Sequence, residues 1–198
     1  MYIIRKDPNE VGNLCNECLR KLKEWFDCNR LYLNINKTGY IYFHNRQDKN
    51  IEDLNIIINN QSISRFESTK FLGLIFDQCM TWRPHCLSII TKLNSVCYQI
   101  RILRSIVCFN MLRSFYFAQV ESILSYGICF WGSSSMLHDV FIIQKRIIRC
   151  IAGVNSRTSC TTYFKDYKIL TVYGLYIFKL LELIHINKKE YKWWFSCL

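Results

Sequence analysis

The stretch TWRPHCLSIITKLNSVCYQIRILRSIV, residues 81–107, decides the fold. Within it Leu87, Ile90, Leu93, Cys97, Ile100, Leu103 and Val107 recur every three or four residues, the spacing of one face of a long helix. Thr81 is placed to cap that helix, and Pro84 is tolerable in a first helical turn. Working outward towards the C-terminus, the same period continues. A second helix is expected over about residues 110–126, from Asn110 to Tyr126, stopped by Gly127. A third is expected after Ser135 as cap, with Val140, Ile143, Ile147 and Ile151 inward and Gly153 at its end. A fourth, very apolar helix is expected over Val172–Ile186, capped by Thr171.

Towards the N-terminus the pattern differs. Val11, Leu14, Cys18, Leu22 and Trp25 mark an amphipathic helix to about residue 28. Strand-like runs follow at Leu31–Asn34, Gly39–Phe43, Asn55–Ile58, Ser62–Ser64 and Lys70–Phe76, with Asn45–Asp53 as a polar loop. Asn59-Asn60 suits a tight hairpin, because asparagine tolerates the left-handed backbone that such a turn needs. The expected class is α+β: an N-terminal helix with a small antiparallel sheet over residues 1–80, then an all-helical bundle over 81–187. Residues 188–198, with Trp193-Trp194-Phe195, form a tail to which no role is given.

Charge is uneven along the chain. The net charge of +11 is concentrated in residues 82–157, where 9 Lys/Arg face 2 Asp/Glu, Glu121 and Asp139. Residues 1–81 carry 11 against 10. A polyanion is the partner such a segment suits. Lys145, Arg146 and Arg149 lie at i, i+1 and i+4 on the third helix, off the isoleucine stripe. That face fits either a phosphate backbone or bulk solvent. At about 100° per residue, Arg104 falls inside the apolar arc of the first long helix, with Arg101 one turn before it. Arg104 must snorkel, pair with an acid such as Glu121, or face something outside the bundle.

Catalytic patterns are scarce. No Asp-Asp pair, nucleophile elbow, Walker loop or G-x-G-x-x-G occurs, and His44, His85, His138 and His185 stand singly. Glu52-Asp53 lies in a polar loop without an apolar strand leading in, a poor setting for a two-metal site. Cys15 and Cys18 form a CxxC without a second pair, and Cys18 belongs to an apolar stripe, so no metal site is expected. The 11 cysteines fall mostly among core-type residues, such as Cys97, Cys108 and Cys150, and no export signal precedes them. They read as reduced thiols of an intracellular protein, nuclear or cytoplasmic. The longest uncharged stretch, Ser122–His138, is broken by Gly127 and Gly132 and does not read as a membrane span.

Several segments together carry a family resemblance. Trp25-Phe26 and Leu31-Tyr32-Leu33-Asn34-Ile35-Asn36-Lys37-Thr38 come first, then Lys70-Phe71-Leu72-Gly73-Leu74-Ile75-Phe76-Asp77. Met80-Thr81-Trp82-Arg83-Pro84-His85 follows, then Leu103-Arg104, Leu124-Ser125-Tyr126-Gly127 and Trp131-Gly132. Gln144-Lys145-Arg146 with Arg149, and Ile169-Leu170-Thr171-Val172, complete the series. In this order, over about residues 9–187, the chain resembles the end of the palm and the thumb of reverse transcriptases from jockey-like non-LTR retrotransposons. The resemblance implies a fragment of an RNA-directed DNA polymerase that binds an RNA–DNA or DNA template–primer duplex. It implies that Lys37 lies near the incoming nucleotide as a general acid to the pyrophosphate. It also implies that Phe71, Leu72 and Gly73 are the primer grip, and that Arg101, Arg104, Lys145, Arg146 and Arg149 contact nucleic acid.

The family's catalytic aspartates are expected just before residue 9, where Met1-Tyr2-Ile3-Ile4-Arg5-Lys6-Asp7 does not supply them. The expectation is therefore a chain with no cofactor of its own that is inactive alone. The Mg2+ of the intact enzyme would sit on upstream fingers and palm of the same polymerase. The other readings are a non-catalytic nucleic-acid-binding protein derived from such an element, and a remnant without function.

Overall fold

The computed structural model describes residues 8–48 and 53–186. The fold is α+β. The chain divides into two compact units, one within Met1–Phe71 and Phe76–Met80, the other within Leu72–Ile75 and Thr81–Leu198. The expected tail, residues 188–198, lies outside the described residues.

In the first unit, α1 runs over Pro8–Cys28. Its inner face is set less by the Leu22 and Trp25 end of the expected stripe, which is exposed, than by Cys15 and Leu19. These two pack on a small core of Ile56, Ile58 and Ile63. Asn16 ties helix to strand: its Nδ2 donates to the Asn55 carbonyl (3.0 Å) and its Oδ1 accepts from the Ile57 N–H (2.9 Å). The outer face carries the i,i+4 pairs Glu17–Lys21, Arg20–Glu24 and Lys23–Asp27, a solvated surface of little energetic weight.

The strands are β1 (Gly39–Tyr40), β2 (Ile57–Ile58), β3 (Gln61–Ser62), β4 (Ser64–Arg65), β5 (Ser68–Phe71) and β6 (Leu74–Asp77). Asn59 and Asn60, at φ 52° and 61°, turn β2 into β3 as the Asn-Asn pair predicts. Three expectations need correction. The strands form separate two-stranded ladders, and β1 pairs with β4 in parallel. Leu31–Asn34 forms no strand; Asn34 instead caps a single 3₁₀ turn, Ile35–Lys37. Lys70–Phe76 is not one strand but two, β5 and β6, with Leu72-Gly73 between them.

The second unit holds the remaining helices: α2 (Arg83–Leu103), α3 (Phe109–Phe115), α4 (Ser122–Ser125), α5 (Ile128–Trp131), α6 (Leu137–Ala152), α7 (Thr161–Asp166) and α8 (Val172–Ile186). A π-helical segment, Tyr116–Glu121, joins α3 to α4, so the expected second helix is continuous but bulged. Short helices α5 and α7 carry no long apolar period and were not expected. Thr81 is not the cap of α2. Trp82 takes that position at φ 61°, while the Thr81 hydroxyl accepts from the Arg83 N–H at 3.3 Å. Likewise Met136, not Ser135, precedes α6. Thr171 does cap α8, its hydroxyl accepting from the Gly174 N–H at 3.1 Å.

The core forms where α2 meets α6. The buried face of α2 is Cys86, Ile89, Leu93, Val96, Cys97 and Ile100, a rotation from the expected arc that leaves Leu87 exposed. On α6, Val140, Ile143, Ile147 and Ile151 are buried as expected. Gln144 is buried among them at 0% exposure. Its Nε2 donates to the Tyr116 hydroxyl (2.8 Å) and the Leu170 carbonyl (2.9 Å), and its Oε1 accepts from the Val172 N–H (2.8 Å). One amide thereby holds α6, the π segment and the start of α8 together. On α8 itself only the first turn, Val172 and Leu175, is buried, while Ile177, Phe178 and Leu181 are exposed. No helix among the described residues is long and apolar enough to cross a membrane.

Replacing Gln144 with Leu strands three partners, two of them, the Tyr116 hydroxyl and the Val172 N–H, in buried bonds. Chemical denaturation is expected to show a loss of about 3 kcal/mol, from unpaired polar groups costing about 1–3 kcal/mol each. His85 gives a second test. It is buried between Trp82 and Trp131, its Nδ1 accepts from the Ile75 N–H (3.3 Å), and burial lowers its pKa, with Lys92 adding to the effect. The unfolded chain then binds more protons than the folded one. His85's contribution is complete above the unfolded value near 6.5 and is lost as pH falls towards the lowered folded value. Melting curves at about pH 7.5 and about pH 5.5 should show a smaller stability drop in His85→Gln than in wild type.

Candidate nucleic-acid interface

Packing of α2 on α6 brings three of the predicted cations to one place. Arg101 lies in the last turn of α2; Arg146 and Arg149 lie in the last two turns of α6. Together they line an open groove of about 460 Å³ whose floor is Ile142, Cys150 and Val154, with Ser156 at its edge. The geometry has a local cause. Gly153, at φ 72°, ends α6 in the left-handed region, with its N–H and that of Val154 both donating to the Arg149 carbonyl. The chain therefore turns there, and Val154 and Ser156 join the lining of the groove.

Two of the guanidinium groups are held by neutral partners. Arg149 Nε donates to the Thr158 carbonyl (2.9 Å), and Arg146 Nη1 donates to Asn94 Oδ1 (3.2 Å). Among the described residues the ion pairs lie on α1, on α8 and at Asp53–Arg65; none involves Arg101, Arg104, Arg146 or Arg149. The groove thus keeps its positive potential available for an anion.

The other predicted residues lie elsewhere. Arg104 is exposed, not buried in the apolar arc, because α2 ends at Leu103 and Arg104 is the cap residue. Its guanidinium lies over Gly153, where any Cβ would collide with it. It does not pair with Glu121. Burial raises the Glu121 carboxyl above its usual range, and the cations that oppose this are Lys179 and Arg113. Lys145 turns away from the groove and rests over the Phe141 ring at 4.7 Å.

Phe71 is exposed and faces Phe76, ring centroids 6.5 Å apart. Leu72 and Gly73 form a turn at φ 46° and 83°, and the Leu72 side chain is 74% exposed. The Tyr126 hydroxyl donates to the Leu72 carbonyl. A Cβ on Gly73 would meet the Tyr126 ring at 3.1 Å. Lys37, in the first unit, is exposed at the end of its 3₁₀ turn. Glu52 lies outside the described residues, and Asp53 pairs with Arg65 at 3.2 Å. Among the described residues no three His, Cys, Asp or Glu side chains converge.

Sequence reading missed the groove floor and the Tyr126 anchor. Ile142 and Cys150 are one turn from Arg146, so α6's period could have placed them; Val154 and Ser156 depend on the turn at Gly153. Compared with protein-family models, curated proteins and solved structures, the chain matches none.

The hairpin turn can be tested directly. Gly73→Ala forces a β-carbon onto a left-handed residue against Tyr126 and is expected to cost about 1–2 kcal/mol. Tyr126→Phe, removing the hydrogen bond alone, should cost about 1 kcal/mol. A double-mutant cycle by urea denaturation should give less than the sum, because both changes act on one contact.

Proposed function

We propose that the helical unit clamps a template–primer duplex as the thumb of a reverse transcriptase from a jockey-like non-LTR retrotransposon. In that reading the chain is the end of the palm and the thumb of an RNA-directed DNA polymerase whose fingers and catalytic palm precede it. The observation that carries the reading is the groove where Arg101, Arg146 and Arg149 meet, with no carboxylate pairing to them among the described residues. A cationic groove suits phosphates, so in this reading the duplex is held mainly by charge and shape. The ordered series of motifs resembling that family supports the identity of the duplex, and the exposed Phe71-Leu72 turn supports a contact with the primer end.

Binding of the full chain to a labelled RNA–DNA duplex across a salt series tests this. Wild type should bind with a steep log–log salt slope. Arg101→Glu, Arg146→Glu and Arg149→Glu combined should lower that slope by about 2–3, since each phosphate contact contributes about 0.9. Lys145→Glu should weaken binding less, because its amine lies over Phe141. Failure of a folded wild-type chain to bind at low salt sinks the proposal.

A further inference from the structure

We propose that Cys97 and Cys150 form a dithiol which a small anionic disulfide oxidises, joining α2 to α6 beneath the arginine groove. The two sulfurs lie 3.6 Å apart, one from each of the helices whose packing forms the core. A bond between them requires an approach of about 1.5 Å, to the ordinary disulfide length of about 2.05 Å. Their exposures differ, and this assigns the roles. Cys150 opens onto the groove floor beside Arg101, Arg146 and Arg149, while Cys97 is 3% exposed behind it.

The order of steps follows. The Cys150 thiolate attacks one sulfur of an incoming disulfide such as oxidised glutathione, whose carboxylates suit the three guanidinium groups. One glutathione thiolate leaves and takes up a proton. Cys97 then loses its proton and attacks the Cys150 sulfur, expelling the second glutathione as thiol. Two electrons pass from the protein sulfurs to the small disulfide, which ends as two thiols. Burial, with Cys150 beside it, pushes the Cys97 thiol up to about 11, against the pull of Arg101 and Arg146. Cys97 is therefore a poor first nucleophile and suits the resolving step, where the mixed disulfide is already alongside. The product links two helices that the groove spans, which fixes the groove's walls.

The test uses the full reduced chain and oxidised glutathione. After incubation the protein is quenched with acid, denatured, alkylated, digested without reductant and mapped by mass spectrometry. The expected result is one peptide pair joined through Cys97 and Cys150, with a raised melting temperature that reductant reverses. Cys97→Ser should instead retain glutathione on Cys150. The proposal is overturned if wild type, folded during the incubation, yields Cys97 and Cys150 both alkylated or yields Cys97 paired elsewhere. A folded Cys97→Ser that leaves Cys150 unmodified also overturns it. Wild-type mapping decides alone if the variant does not fold.

Discussion

The helical unit depends on a buried amide. Gln144 sits in the isoleucine face of α6, where a polar side chain would be costly without partners, and it has three. Apolar packing between α2 and α6 is non-directional and would tolerate a range of rotations. Hydrogen bonds to the Tyr116 hydroxyl, the Leu170 carbonyl and the Val172 N–H are not so tolerant. They fix how α6 is turned about its own axis, and with it the direction in which Arg146 and Arg149 leave the opposite side of the helix.

The π segment is part of the same arrangement. Leu112, Tyr116, Val120 and Leu124 are all buried, a stripe with a spacing of four throughout. In an ideal helix each step of four overshoots a turn by about 40°, so three steps would carry the stripe well off the core. The wider turn over Tyr116–Glu121 takes back part of that drift and keeps Tyr116 aimed at Gln144. Burial lifts the Tyr116 phenol far above its usual range, against the stabilising bond from Gln144, so the hydroxyl remains a neutral partner.

How far the sequence was readable depends on whether local pattern or tertiary contact decided each element. The C-terminal end of α6, the start of α8, the Asn59-Asn60 hairpin and the α6 stripe follow from local chemistry: left-handed residues, a threonine cap, a clean period. The rotation of α2 does not, because Leu87 and Ile90 fit the period as well as Cys86 and Ile89; α6 decides between them. The parallel β1–β4 pairing and the Leu72-Gly73 turn were hidden for the same reason. Leucine is a poor residue at φ 46°, and the Tyr126 hydroxyl's bond to its carbonyl helps hold it there. Of the candidate site, the cations were visible as residue types. Their separation into groove residues Arg101, Arg146 and Arg149 and outliers Arg104 and Lys145 was not.

That separation bears on why arginine serves in the groove. A guanidinium offers five donors in a rigid plane, so one edge can be fixed by the protein while the other stays available. Arg149 gives its Nε to the Thr158 carbonyl and Arg146 gives one Nη1 to Asn94, and neither bond neutralises charge. Each side chain is thus oriented before any ligand arrives, which reduces the entropy lost on binding an anion. A lysine at either position would have to choose between the same anchor and the ligand with one flexible ammonium. Lys145 illustrates the outcome: its amine settles on the nearest aromatic face, Phe141, and leaves the groove to its neighbours.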